Sequence, residues 1–424
     1  MAAHNPITRI CILSTHGYMD PVPRLGSTDT GGQVVYVLEL AKAFTRLGIA
    51  VDIYTRWFDR DRRQIDPLPK HPGARIIRIP AGPWEFIPKE EIYDILPELA
   101  ENMVRFVLDQ GLDYDLLHAH YVDAGIVMLA VAERLNRPTF FTAHSLGAWK
   151  REQLGGDPGE MDWKFKFERR ISEERRIFRT VSAQTVTSAL QRDKIRELYG
   201  WQSQNIEVIP PGVDIGTFKP PKAGRPPPPP RPDLPAPYVF CLSRIDSGKG
   251  HDFLIDAFDL VRRAVPDVHL VIGGGSPKPQ LRESAVLATM HAIIDKRRLH
   301  DHVTIAGYVP DDLLVPYYQG AALFVLPSVF EPFGMTVLEA MACGTAVVAS
   351  RLGGIRTVIA SGQNGLLVDP TDRDEFAAAI VRLIEDRTLA KRLGRAGRST
   401  VIDEFSWEAI ARRHLALFDE HLDR

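Results

Sequence analysis

Cysteine is nearly missing from this chain: Cys11, Cys241 and Cys343 are its three, each inside an apolar run and none at a paired spacing. That excludes a disulfide framework or a cysteine metal site and leaves three buried, reduced thiols. Also missing is any apolar run near the ~20 residues that span a bilayer, so no stable membrane insertion is expected. The opening "MAAHNPITRICILS" lacks the positive start and long apolar core of a secretory leader. The expected location is therefore cytoplasmic. Net charge is close to nil at −2, which excludes a nucleic-acid binder working by bulk charge but leaves room for a local basic pocket. No GxGxxG follows the first strand-like run, and this sets aside a dinucleotide-dependent hydride transfer.

What is present is material for a large core. With 424 residues, 45% apolar and 25% charged, the chain is long enough for two domains of roughly 200 residues. The sharpest change in composition is "KPPKAGRPPPPPRPDLPAP", 219–237. Such a run enters neither helix nor central strand and tends to polyproline II, so it is read as a semi-rigid linker. An SH3-type ligand is the other reading, disfavoured by its place between two similar halves. The expected division is an N-terminal domain over 1–218, the linker over 219–237, a second domain over 238–404 and a last helix over 405–424. That helix carries an apolar stripe of Trp407, Ile410, Leu415 and Leu417 or Phe418.

Both halves alternate short apolar strands ("RICILS", "AVDIYTR", "DLLHAHY", "PTFFTAHS"; then "YVFCLSR", "VHLVIGGG", "VTIAGYV", "ALFVLPS", "AVVASRLGG") with amphipathic helices. This predicts two doubly wound, Rossmann-like α/β domains with parallel sheets. Ligands of such sheets bind beyond the carboxyl ends of the strands, and five stretches fall there. In "TDTGGQ", Gly31 and Gly32 open a helix whose positive end suits an anion, although a plain turn fits too. In "FTAHSLGAWK", His144 follows a buried strand and is placed for hydrogen bonding or proton transfer, or for a structural role. His118 and His120 of "HAHY" lack a third ligand for a metal. In "SRIDSGKG", Arg244 and Lys249 supply fixed positive charge for a departing diphosphate, or else decorate a solvated loop. Lys150 with "KFKFERR" (Lys164, Lys166, Arg169, Arg170) makes a phosphomonoester pocket if the two stretches meet, or a helix face balanced by Glu168, Glu173 and Glu174.

The fifth stretch, "EPFGMTVLE", sets Glu331 and Glu339 eight residues apart around a glycine turn. Gly334 ends the loop, and the first-turn amides of Met335, Thr336, Val337 and Leu338 face the site. One carboxylate then takes sugar hydroxyls and the other a ribose diol, with phosphate at the helix terminus.

Taken together, "TGGQ", "HAHY", "TAHSLG", "PPGVD", "SRIDSGKG", "EPFGMTVLEAMACGTAVVAS", "GGI" and "NGLLVDP" resemble the retaining glycosyltransferases of family 4, of the GT-B class. The opening "STHGYMDPVPRLGSTDTGGQ", "IPKEE" and "HSLG" with Lys150 resemble the sucrose-phosphate synthase group within it. The resemblance covers nearly the whole chain. It implies two Rossmann-like domains facing across a cleft, no obligatory metal, and a nucleotide diphosphate sugar as co-substrate. Arg244 and Lys249 would hold the diphosphate, Glu331 and His144 the transferred sugar, and Glu339 the ribose. Gly31, Gly32 and Gln33 would line the reaction centre. Lys89, Lys150, Arg169 and Arg170 would hold the phosphate of fructose 6-phosphate, with Tyr121 and Ser145 beside the acceptor. The implied reaction is front-face attack by the acceptor hydroxyl on a hexose from GDP-mannose or UDP-glucose, without an enzymic nucleophile. The chain departs from the pattern at Gly250, where many relatives carry asparagine.

Other readings are ranked below this one. A free-fructose acceptor leaves the basic cluster unused, and a membrane-surface transferase gains nothing from the net charge. A non-catalytic nucleotide-sugar-binding protein does not require Arg244, Lys249, Glu331 and His144 together.

Overall fold

The computed structural model describes residues 6–23, 31–155, 157–222, 224, 234–276, 281–329, 331 and 333–422. Most of the proline-rich run, residues 223 and 225–233, lies outside the described residues, as does 24–30 of the stretch before Gly31. The chain forms two compact units, Met1–Gly212 with Trp407–Arg424, and Val213–Ser406. The first boundary therefore precedes residue 218. Val213 donates its amide to Phe405 O at 2.8 Å, and Phe218 packs edge-on against Tyr318, which ties 213–218 to the second unit. Trp407 is the first residue of the returning helix Trp407–Leu422.

The first unit is built on an eight-stranded sheet. Its strands are β1 (Arg9–Leu13), β2 (Ala50–Trp57), β3 (Ile65–Leu68), β4 (His71–Pro80), β5 (Leu116–His120), β6 (Thr139–Thr142), β7 (Ala183–Val186) and β8 (Ile206–Val208), in the order β3-β4-β2-β1-β5-β6-β7-β8. All neighbours are parallel except β3, which runs antiparallel to β4. This edge hairpin departs from the all-parallel expectation, and its short connection is one that only antiparallel strands permit. Alternation does the rest: Cys11 and Leu13 of β1 enter one hydrophobic core, Ile10 and Ile12 the core on the opposite face.

The second unit has six parallel strands: β9 (Tyr238–Leu242), β10 (His269–Gly273), β11 (Val303–Gly307), β12 (Leu323–Leu326), β13 (Val347–Ser350) and β14 (Leu366–Val368). Their order is β11-β10-β9-β12-β13-β14. Val239 and Cys241 face one core while Tyr238 and Phe240 face the other. In both units the order reverses beside the first strand, at β1/β5 and at β9/β12. Those are the topological switch points, where open α/β sheets bind ligands. Among the described residues no helix is long and apolar enough to cross a membrane.

Candidate active site

In the second unit the loops after β9 and β12 meet at the switch point. Gly250 makes the meeting possible: a Cβ there would stand 2.6 Å from Pro327 O. Beside it, the Val329 amide donates to Gly248 O at 3.1 Å. A side chain in place of Gly250 would press on the Pro327 carbonyl. The closure of the two loops brings Lys249 Nζ to 2.8 Å from Glu331 Oε2, with both side chains mostly buried. Arg244 is exposed on the same loop.

Glu331 is held from behind by "GGI". The Gly354 amide donates to Glu331 O at 2.8 Å. Gly334 then starts the helix Met335–Ala342. Val337 and Leu338 return their amides to Gly334 O, so Met335 and Thr336 carry the first-turn amides with no acceptor inside the helix. Val337 and Leu338 have buried side chains and their amides are taken up by Gly334 O, so the expectation of four open amides narrows to Met335 and Thr336. Glu339, one turn on and half-buried, accepts from Tyr318 OH at 2.6 Å. Burial pushes its carboxyl up to about 7; the Tyr318 hydrogen bond opposes the rise and Asp311 adds to it.

In the first unit the residues after β1, β5 and β6 converge. Gln33 donates from Nε2 to Ser14 Oγ and His120 O, each at 3.2 Å. Gly31 and Gly32 are exposed, and a Cβ on either would meet nothing within 4 Å. Among the described residues, packing thus does not require glycine at these two positions. Tyr121 has a positive φ of 78°, and its ring lies between the edge of His16, at 4.7 Å, and the Arg170 guanidinium, at 4.7 Å. Burial pushes its phenol up, against the pull of Arg170.

Sequence reading missed Asp123. It is fully buried, bonded to Thr15 Oγ1 and 3.0 Å from His16 Nδ1. Burial opposes its ionisation, yet His16 and the Thr15 hydroxyl hold its carboxyl below the usual range. A lone acid in the apolar helix "VDAGIVMLAVA" was the available signal.

The basic cluster divides on folding: Lys150 and Lys164 share one ring, while Arg169 and Arg170 turn to different partners. Arg170 is buried and pairs with Glu174 at 2.8 Å. It also donates to Ser145 O at 3.0 Å and Ser145 Oγ at 2.9 Å. Glu174 in turn accepts from the Gly147 amide and Tyr199 OH. Arg169 points elsewhere, exposed, to Asp94 at 2.8 Å and over the Tyr93 ring at 4.9 Å. Lys150 and Lys164 lie over the Phe165 ring, at 5.1 and 5.3 Å. Lys89 is 3.4 Å from Glu90 and near enough to Tyr121 to act on its phenol. Lys166 adopts the left-handed turn between two helices. His144, at a φ of 48°, places Nε2 2.8 Å from His120 Nδ1. Among the described residues no group of three or more His, Cys, Asp or Glu is arranged to hold a metal ion.

Two Rossmann-like units, each with its polar and charged residues at the switch point, are the build of a GT-B group-transfer enzyme. Comparison with known proteins narrows the class. Residues 228–400 match the family model "Glycosyl transferases group 1" and residues 30–217 match "Glycosyltransferase Family 4". Residues 2–52 match "Sucrose synthase first GT-B domain". The mannosylfructose-phosphate synthase of Agrobacterium fabrum is 38% identical, over 97% of this chain and 91% of that protein. A D-inositol 3-phosphate glycosyltransferase of Xylanimonas cellulosilytica is 30% identical over 98% and 97%. The solved sucrose-phosphate synthase of Thermosynechococcus elongatus superposes with a TM-score of 0.72 at 32% identity, covering 97% of this chain and 98% of that one. The chain belongs to glycosyltransferase family 4, and it is an enzyme of sugar transfer.

Proposed function

We propose that this enzyme transfers a hexose, with retained configuration, from GDP-mannose or UDP-glucose to fructose 6-phosphate, giving mannosylfructose phosphate or sucrose phosphate. The observation that carries the reading is the grouping at one switch point of Arg244, the Lys249–Glu331 pair and the amide end of Met335–Ala342. Arg244, Lys249 and the open amides suit a diphosphate, on which negative charge grows as the sugar–oxygen bond breaks. Glu331 suits the hydroxyls of the transferred hexose, His144 a further hydroxyl, and Glu339 the ribose diol. Gly31 and Gly32 leave room beside the reacting carbon, and Gln33 lies on the acceptor side.

The bond from the anomeric carbon to the diphosphate breaks with its electron pair going to the diphosphate. The acceptor oxygen bonds to the same face of that carbon, and its proton passes to a leaving phosphate oxygen. No enzyme carboxylate forms a covalent intermediate, and no metal is required. Three buried free cysteines fit a reducing cytoplasm.

For the acceptor, Lys89, Lys150 and Arg169 are the cations suited to a phosphate, with Arg170 holding Ser145 and the Tyr121 ring in position. The names of all three relatives contain a phosphate ester, which supports a phosphorylated acceptor. A second reading, an inositol phosphate acceptor, is favoured by the several relatives of that name. The test follows nucleoside diphosphate release with a panel of nucleotide sugars. Fructose 6-phosphate, inositol phosphate and free fructose serve as acceptors. Release with fructose 6-phosphate alone supports the first reading. Release with inositol phosphate selects the second, and equal release with free fructose removes the phosphate requirement.

A further inference from the structure

Beneath His144 lies a cluster of histidines to which the proposed reaction assigns no role. His118 and His120 project from one face of β5, two residues apart. Their ring centroids are 4.2 Å apart, His120 is 5.1 Å from His144, and His118 is 5.5 Å from His414 of the last helix. Tyr36 closes the group edge-on to His144 at 4.9 Å. All these residues belong to the first unit.

Hydrogen accounting assigns each ring its tautomer. His414 Nδ1 is 3.0 Å from Ile410 O, an acceptor only, so that nitrogen carries the proton and Nε2 is left to accept from Tyr36 OH at 3.4 Å. His118 Nε2 is 2.8 Å from Thr142 Oγ1 and its Nδ1 is buried without a partner among the described residues. His120 Nδ1 is 2.8 Å from His144 Nε2 and its own Nε2 is buried without a partner among the described residues. A buried lone pair is tolerated better than a buried N–H with nothing to receive it. His118 and His120 therefore each carry the proton on the partnered nitrogen. Burial keeps all of them neutral: His118 and His120 are driven well below the usual histidine range, His414 down to about 4 and His144 to about 3.

One proton then lies between His120 and His144, and it belongs to His120. His144 Nε2 accepts it, which obliges His144 to carry its own proton on Nδ1. We propose that His120 is a positioning residue that fixes His144 as the Nδ1–H tautomer, so that His144 offers the transferred hexose a hydrogen-bond donor and not a base. The role rests on the proposed contact between His144 and the donor sugar, whereas the tautomer rests on the geometry of the first unit alone.

The experiment is ring-nitrogen NMR on the full-length protein with nitrogen-15 histidine, His144 being assigned by the signals lost in His144→Gln. Wild type is expected to show a protonated Nδ1 and a bare Nε2 on His144. His120→Asn puts an amide N–H where Nδ1 was, so the tautomer and most of kcat are retained. His120→Leu removes the donor: the tautomers mix and kcat falls on the order of tenfold or more, with KM for the nucleotide sugar little changed. A wild-type His144 protonated on Nε2 overturns the proposal, as does His120→Leu with an unchanged tautomer and kcat. The wild-type spectrum and His120→Asn decide the matter even if His120→Leu fails to fold. An unchanged kcat in His144→Ala, alongside the expected tautomer, overturns the sugar contact while leaving the assignment standing.

Discussion

Lys249 and Glu331 form an ion pair of 2.8 Å across 82 residues of sequence, joining the two loops of the second unit's switch point. On the proposed reaction, this carboxylate holds in place the cation that faces the diphosphate. On that proposal, Lys249→Met removes the charge against which the leaving group develops. We expect kcat/KM to fall by about 10²–10³-fold, with a weaker Kd for the nucleoside diphosphate. The stability change should stay within about 1–2 kcal/mol, because the pair retains some solvent. Steady-state diphosphate release and a urea titration measure the two effects. An unchanged kcat/KM would remove Lys249 from the diphosphate site.

Glu339 gives the site a pH dependence whose sign is fixed. Burial raises its carboxyl from the ordinary 4.5 to about 7. Between those values the folded protein binds more protons than the unfolded chain, so this group's contribution to stability falls as pH rises through that window. On the proposed ribose contact, binding runs the other way, since only the carboxylate accepts from two ribose hydroxyls. Nucleoside diphosphate affinity should therefore strengthen as pH rises through about 7. Glu339→Gln should flatten that slope and remove the matching loss of stability. Calorimetric titrations from pH 5.5 to 8.5, roughly bracketing the transition, check both. An identical slope in Glu339→Gln would place the titrating group elsewhere.

The strands were legible because burial on both faces leaves a continuous apolar run, as in "RICIL" and "YVFCL", and the loops that follow them were legible for the same reason. Long-range partners left no such record. Nothing near Trp407 announces that its helix returns to the first unit, where it packs on Gly212 so closely that a Cβ there would stand 2.7 Å from its ring. Nor does "HAHY" reveal His414. Glu174, one of the acids set against the basic helix face, stands four residues after Arg170, the spacing of a helical ion pair; that spacing alone does not tell that the pair is buried. The β3–β4 hairpin was missed because "IDPL" carries a proline that argues against a strand, and it is indeed an edge strand.

The two adjacent arginines of the basic cluster should behave oppositely. Arg170 is sealed in with Glu174, and truncating it leaves a buried carboxylate uncompensated. Arg170→Ala is expected to lose about 3–5 kcal/mol of stability. Arg169 is half-exposed and its partner Asp94 more so, so Arg169→Ala should cost less than about 1 kcal/mol. If Arg169 holds the acceptor phosphate, KM for fructose 6-phosphate rises about tenfold, the scale of one charge-assisted hydrogen bond. KM for free fructose does not move. Urea denaturation and acceptor kinetics on the two variants test the pair. A large stability loss in Arg169→Ala with an unchanged KM would make both residues structural.

Gly353 sits directly behind Glu331. Its φ is +85°, and a Cβ would stand 2.3 Å from Glu331 O, the same carbonyl that accepts from the Gly354 amide. An alanine there must push the backbone of Glu331 and disturb its reach to Lys249. Gly362 separates this effect from backbone strain alone. Its φ is +81°, but a Cβ would meet nothing within 4 Å. Gly362→Ala should therefore cost about 1 kcal/mol, the penalty of a left-handed conformation, and leave kcat unchanged. Gly353→Ala should cost about 2–4 kcal/mol and lower kcat more than tenfold, because a misplaced positioning group is paid for in rate. Thermal unfolding and diphosphate release on both variants give the comparison. Equal kcat in the two would mean that the position of Glu331 tolerates movement, and that its carboxylate does not grip the reacting sugar.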